Sequence, residues 1–273
     1  LLLLAAIPSL QRLLVYMSWI NYPWGNLANP TAWGFRPDQA RSLFIPTPDN
    51  LSLGAWHIVQ PNAARAVPTA RSPAHALPHD HWTVKTDDTV FLYLHGNAGN
   101  RGLRHRRAFY QTLLTAHMRA RRRRVHLLAI DYRGFGDSSA VLPSEAGLKL
   151  DALAAWTFIT RDLGAQPSQV VVVGHSLGTG VATALVHQLS TANTPPRGLV
   201  LLAPFTSIPN AAIEYPWVPV WLLGPFKSLL TPLVHEKWES IDRIPDLACN
   251  VLIVHGSKDI IINQHHAHAL FKR

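Results

Sequence analysis

Cysteine, charge and long apolar runs are all scarce in this sequence. A single cysteine, Cys249, among 273 residues excludes an intrachain disulfide framework and any cysteine-based zinc site, and it fits a reducing compartment. Charged residues make up only 15% of the chain, and acids are the rarer kind: 16 Asp and Glu against 25 Lys and Arg, for a formal net charge of +9. The opening LLLLAAIP supplies eight residues before Ser9, against the roughly 20 apolar residues that a bilayer crossing needs, and Arg12 breaks the continuation. This stretch reads either as the tail of a transmembrane helix or as a core or interfacial helix. No known nucleic-acid motif accompanies the arginines of the block Arg101, Arg104, Arg106, Arg107, Arg119 and Arg121 to Arg124, so nucleic acid is not an expected partner. The block reads as a solvated face, with anionic lipid head groups as the second reading.

What is present points to apolar chemistry. The chain is 48% hydrophobic with nine tryptophans, enough to bury a sizeable core in one globular domain and to handle apolar ligands or touch a membrane. Residues 1–22 are expected to be a membrane-proximal apolar or amphipathic segment, in which Leu10, Leu13, Leu14 and Met17 share one face of a helix predicted over 9–20. The globular domain is expected over 35–273. Residues 41–59 predict two strands joined by the turn TPDN, and the Pro-, Ala- and His-rich 60–82 a loop.

From residue 89 onward, apolar strands alternate with helices. Strands are predicted at 89–96, 125–134, 169–174, 198–205 and 250–256, with helices near 102–117, 144–164 and 177–190. Continuous apolar strands separated by helices predict an α/β fold, with a mostly parallel sheet covered on both faces. Four of the strands run into HGNAGN, DYRGFGDS, GHSLG and HGSKD, polar loops that open on the carboxyl edge, where such sheets gather their chemistry. The 206–249 connection carries Trp217, Trp221, Phe226 and Trp238. It reads equally as a helix pair packed on the sheet or as a cap supplying an acyl pocket.

The sharpest chemical signal is VVVVGHSLGTG, residues 170–180. Gly174-His175-Ser176-Leu177-Gly178 fits G-x-S-x-G after a buried strand and before a helix, which is the context of a nucleophile elbow. Ser176 is the candidate nucleophile. The Leu177 amide and the Asn97 amide, with Ala98 behind it, are the candidate oxyanion donors. His95 is expected to brace the latter loop. The acid of a Ser–acid–His order is Asp259, after VLIVHGSK. The base has no candidate at a suitable place: His265, His266 and His268 come too soon after Asp259 and are expected on a helix surface. The catalytic histidine is therefore expected outside this chain, and the first residue, Leu1 rather than Met, points to a piece of a longer product. Neither His75, His79 and His81 nor His265, His266 and His268 has a carboxylate ligand motif beside it, so no metal and no cofactor are expected.

YLHGNAGNRG, IDYRGFGDS, PSEAGLKLDAL, GHSLGTGVAT, APFTSI and VLIVHGSKD, in this order, resemble the α/β-hydrolase-domain group that contains the membrane-bound monoacylglycerol and lysophosphatidylserine lipases. PDNLSLGAWHIV and PSLQRLLVYMSWINYPW fit the same group. The resemblance implies the α/β-hydrolase fold, here lacking its last strand and helix, and a triad whose first two members are Ser176 and Asp259. It also implies a monoglyceride or lysophospholipid ester as substrate, and a location at the endoplasmic reticulum membrane. Two enzymatic readings share the mechanism: a lipid ester, or a thioester or small carboxylester. A third reading is a degenerate hydrolase fold that only binds. Oligomeric state is not legible.

Overall fold

The computed structural model describes residues 7–60, 81–121, 124–214 and 231–273. Seven strands form one sheet: β1 (Ala40–Pro46), β2 (Ser52–Val59), β3 (Thr89–Leu94), β4 (Val125–Ile130), β5 (Val170–His175), β6 (Gly198–Leu202) and β7 (Asn250–Val254). Their spatial order is β1-β2-β4-β3-β5-β6-β7. The first two strands are antiparallel, joined by the predicted turn, in which Leu51 N–H returns to Thr47 Oγ1 (2.9 Å). β4, β3, β5, β6 and β7 are mutually parallel. All their carboxyl ends therefore face one edge, as the alternation predicted. β3, β4 and β5 carry long runs of buried residues. In β7, by contrast, alternate residues are open, with Leu252 and Val254 exposed, and the described sheet ends there.

The helices are α1 (Pro8–Tyr16), α2 (Arg104–Arg121), α3 (Glu145–Thr157), α4 (Leu177–Thr191), α5 (Ile208–Ile213), α6 (Ser240–Arg243) and α7 (His265–Phe271). Ser144 caps α3 through Gly147 N–H, and the helix ends in a wider turn over Phe158–Asp162 before Gly164 at φ +76°. No described helix is long and apolar enough to cross a membrane. Much of the expected 206–249 insertion, including Trp217, Trp221 and Phe226, lies outside the described residues, as does 61–80 of the expected loop.

The amphipathic reading of α1 is reversed in part. Leu13 and Leu14 are exposed, whereas Gln11 and Tyr16 are buried. Polar pairing across the fold explains the inversion. Gln11 Nε2 donates to Leu233 O (2.6 Å) and its Oε1 accepts from His235 N–H (2.8 Å). Arg12 Nε donates to Glu236 Oε1 (2.8 Å) and Tyr16 hydroxyl to Glu236 Oε2 (2.5 Å), and the same carboxylate also accepts the Glu145 N–H. Helix end, insertion and α3 start thus meet at one buried carboxylate.

At the opposite end of the sheet from the polar loops, β1, β2 and β4 bury a chain of titratable groups. Arg41 Nε–H donates to His57 Nδ1 (3.3 Å), which leaves the His57 proton on Nε2 facing His126 Nδ1 (2.9 Å). His126 Nε2–H then faces Asp88 Oδ2 (3.3 Å). His81 and Arg124 add to the charge around the pair. Burial, then the neighbouring cationic groups, holds His57 well below the ordinary histidine value, and burial lowers His126 too, against the pull of Asp88.

Two predictions follow from these contacts. A histidine with a depressed folded pKa binds fewer protons folded than unfolded, so stability is complete above the unfolded value of about 6.5 and falls as pH drops below it, by up to about 1.4 kcal/mol per pH unit per histidine. Urea melts stepped downward from neutral pH are expected to show that slope, and His57→Gln to flatten it. In Glu236→Ala, the Tyr16 hydroxyl and the Arg12 guanidinium lose their shared acceptor. A loss of about 2–4 kcal/mol in the same melts is expected, and an unchanged midpoint would show that the network contributes nothing.

Candidate active site

The turn between β5 and α4 is built by glycine. A Cβ on Gly178 would stand 2.1 Å from Leu94 O, and one on Gly174 would stand 2.4 Å from Gly178 O. Strand β3, strand β5 and helix α4 therefore touch backbone to backbone, a spacing no other residue permits. The residue at the bend between them is Ser176, at φ 52°, ψ −120°. Positive φ is costly for a non-glycine residue and is kept where the surroundings over-determine it. Ser176 N–H is held by Leu202 O (2.9 Å), and its carbonyl accepts from Thr179 N–H (2.8 Å) and Thr179 Oγ1 (2.6 Å). The hydroxyl is partly open to solvent, and among the described residues it makes no hydrogen bond.

The loop after β3 lies directly against this bend. A Cβ on Gly96 would be 3.1 Å from Ser176 Cβ and 3.2 Å from His175 O. An inward-facing arginine sets the shape of that loop. Arg106, 2% exposed, donates to Gly96 O (3.0 Å), Ala98 O (2.8 Å) and Asn100 O (3.0 Å). With carbonyls turned in to the guanidinium, amides turn outward. Three of these are taken by the end of α1 and the segment after it: Ala98 N–H goes to Tyr16 O (3.0 Å), Gly99 N–H to Ile20 O (2.6 Å) and Asn100 N–H to Tyr22 O (3.0 Å). Neither the Asn97 amide nor the Leu177 amide is committed to a backbone acceptor among the described residues. Asn97 itself is exposed, its side-chain amide 3.6 Å from Met17 Sδ.

Beneath the loop sits a fully buried charge pair. Arg101 donates from Nη1 to Asp131 Oδ2 (2.6 Å) and to Asp137 Oδ1 (2.6 Å), and its own backbone N–H reaches Asp131 Oδ1 (2.6 Å). Burial alone would raise the Asp131 carboxyl, but Arg101 and then His95 outweigh it and hold it below the usual carboxylate range. His95 is fully buried, with Nδ1 2.7 Å from Gly96 O and Nε2 3.4 Å from Asp131 Oδ1. It braces the loop, as expected from the sequence. The arginine block is corrected in part: Arg101 and Arg106 are not a solvated face but the interior frame of the loop. Their position beside HGNAGN was the available signal, since a guanidinium so close to a turn of outward amides has carbonyls to bind.

Asp259 follows β7, two strands from β5. Its Oδ1 accepts from Ile261 N–H (2.9 Å) and Ile262 N–H (3.0 Å), and its Oδ2 is 3.5 Å from His255 Nε2. His255 Nε2 also donates to Ile262 O (2.8 Å). The remaining histidines near this edge have other partners. His265 and His266 face Glu214, and His266, expected on a helix surface, is 1% exposed because it turns in to Thr206. Burial, with Arg106 and His105 nearby, pushes His175 down to about 4, so it is uncharged at neutral pH.

An alpha/beta hydrolase family model matches residues 90–255. The lysophosphatidylserine lipase ABHD12 of Xenopus tropicalis is 33% identical over 263 residues, covering 94% of this chain and 64% of the relative. The protein of the same name from Mus musculus is 30% identical over 272 residues, covering 97% and 63%. The chain thus spans somewhat under two thirds of the length of these relatives. Among solved structures, an alpha-beta hydrolase from Vibrio vulnificus superposes with a TM-score of 0.67 at 15% identity, covering 96% of this chain and 80% of the other. The Pyrococcus furiosus esterase Pf2001 gives 0.59 at 17% identity, covering 93% and 84%. A parallel sheet in this strand order, a serine at the bend after its central strand, and a family match that runs from β3 to the end of β7 place this chain in the α/β-hydrolase family.

Proposed function

We propose that this chain carries the catalytic centre of a serine hydrolase that cleaves the carboxylic ester of a lysophospholipid or monoacylglycerol. The observation that carries the reading is Ser176 at positive φ on the β5–α4 bend, its hydroxyl unbonded, beside a loop that leaves the Asn97 amide without a backbone partner. In this reading the Ser176 oxygen attacks the acyl carbonyl. The Leu177 and Asn97 amides, helped by the N-terminal dipole of α4, receive the negative charge of the tetrahedral intermediate. The alcohol half leaves, and water then frees the acyl group from the serine. Asp259 orients the histidine that serves as base. None of the described histidines is assigned that role: His255, beside Asp259, donates to Ile262 O, and His265 and His266 face Glu214. No step needs a metal or cofactor.

A lipid substrate is supported by the lysophosphatidylserine lipases among the relatives and by the exposed side chains of the arm that binds the loop. Leu14 (64% exposed), Trp19 (67%) and Trp24 (85%) lie on or just after α1, and amphipathic aromatic rings of this kind suit the boundary between water and lipid. An association with the endoplasmic reticulum membrane belongs to the same proposal.

A fluorophosphonate probe tests the nucleophile. Labelling is expected to vanish in Ser176→Ala, and to be faint in the 273-residue chain because no base is assigned among its described residues. Extension to the full length of the relatives is expected to raise it by about 10²-fold or more, the usual contribution of a general base. Labelling that survives Ser176→Ala would put the nucleophile elsewhere, and none in the extended protein would leave a binding module as the reading. Arg106→Met is expected to lower the labelling rate about 10²-fold, the usual effect of losing one oxyanion donor, with Ser176 intact.

A further inference from the structure

We infer that His255 is the positioning residue that holds Asp259 in place for catalysis, and that Asp259 Oδ2 is the oxygen that receives the base. The inference rests on the reading of Asp259 as the acid of the Ser176 centre. His255 directly follows the last residue of β7, and its side chain is 2% exposed. Its Nε2 lies 2.8 Å from Ile262 O. A carbonyl carries no proton, so the proton of that bond is on Nε2. Nδ1 is buried and has no partner among the described residues. The one directed hydrogen bond of this buried imidazole therefore runs from Nε2 to a carbonyl seven positions on.

That carbonyl belongs to a residue that aims the acid. Ile262 donates its N–H to Asp259 Oδ1 (3.0 Å), beside the Ile261 N–H (2.9 Å), and its side chain is buried in the main core. Both backbone groups of Ile262 are thus committed, one to the carboxylate and the other to His255. The residues between acid and anchor are held by little else, since Ile260 is 80% and Ile261 45% exposed. Loss of the His255 bond leaves the Ile262 carbonyl without its partner and loosens the residue whose amide orients Asp259. The two carboxylate oxygens also differ. Oδ1 already accepts two amides. Oδ2 has only His255 Nε2 near it among the described residues, at 3.5 Å, and that proton is engaged in the shorter bond to Ile262 O. Oδ2 therefore keeps its acceptor capacity for the ring N–H of an incoming imidazole. An error of about 1 Å in such a group can cost about 10²-fold in rate.

NMR of the histidine ring nitrogens in the 273-residue chain tests the geometry without reference to any reaction. His255 is expected as the Nε2–H tautomer. The Nδ1–H tautomer overturns the inference and leaves the roles of Ser176 and Asp259 untouched. The catalytic role is read from fluorophosphonate labelling rates in the protein extended to the length of the relatives. Asp259→Asn is expected to slow labelling about 10⁴-fold, as alteration of a triad acid does, and His255→Leu about 10–10²-fold. His255→Gln keeps a side-chain N–H donor and is expected to stay within about threefold of the parent. In the Asp259→Asn background, His255→Leu is expected to add less than about twofold, because the group it positions is already lost. A merely structural histidine would slow both backgrounds alike, and that result overturns the inference. So does His255→Leu at the parent rate while Asp259→Asn is slow. Labelling of Asp259→Asn at the parent rate removes the acid reading itself, and the role of His255 with it.

Discussion

Two buried guanidinium groups set the shape of the loop after β3, which lies against Ser176. Arg106 gathers carbonyls from Gly96 to Asn100, and Arg101 is neutralised by Asp131 and Asp137 below. A buried charge without partners costs several kcal/mol, and a turn of unpaired carbonyls is similarly costly. Each cost is removed by the other, so the loop has few alternative shapes. The serine's own strain is sustained in the same way. Its φ of 52° is imposed by a crossing where β3 and α4 meet with no side chain between them. Preorganisation of this kind lets an oxyanion site act without rearranging as charge develops.

The parallel sheet and its strand ends were legible in the sequence because the β3 to β7 strands are continuous apolar runs and the turns between them carry Gly, Asp and Asn in fixed positions. Ser176 was legible for the same reason: a four-valine strand and a helical run bracket it. The environment of Asn97 was half legible. Its place after His-Gly follows from the pattern, but its amide is distinguished only because three neighbouring amides are taken by residues 16, 20 and 22, contacts across some eighty positions that no local pattern encodes. The arginines were misread for a physical reason. Charge clusters lie on surfaces unless paired, and the pairing acids, Asp131 and Asp137, belong to a different strand end. Helix α1 was misread likewise: its leucine stripe predicts a buried apolar face, and polar bonds to Glu236 and its neighbours bury Gln11 and Tyr16 instead.

Asp259 shows where sequence order and spatial arrangement meet. Chain order places an acid after β7, and parallel pairing brings that loop to the same edge as Ser176. Its carboxylate is already oriented by two amides of its own loop.

The bonds from Tyr16, Ile20 and Tyr22 to the loop beside the serine make the end of α1 and the segment after it part of that loop's frame rather than a tether. Whatever pulls on that arm, a lipid surface gripping its tryptophans or a protease cutting near Trp24, is transmitted through three hydrogen bonds to the peptide group next to Asn97. A trimmed protein beginning at the first strand would keep its sheet and its serine, yet it would leave the loop after β3 without its outer wall.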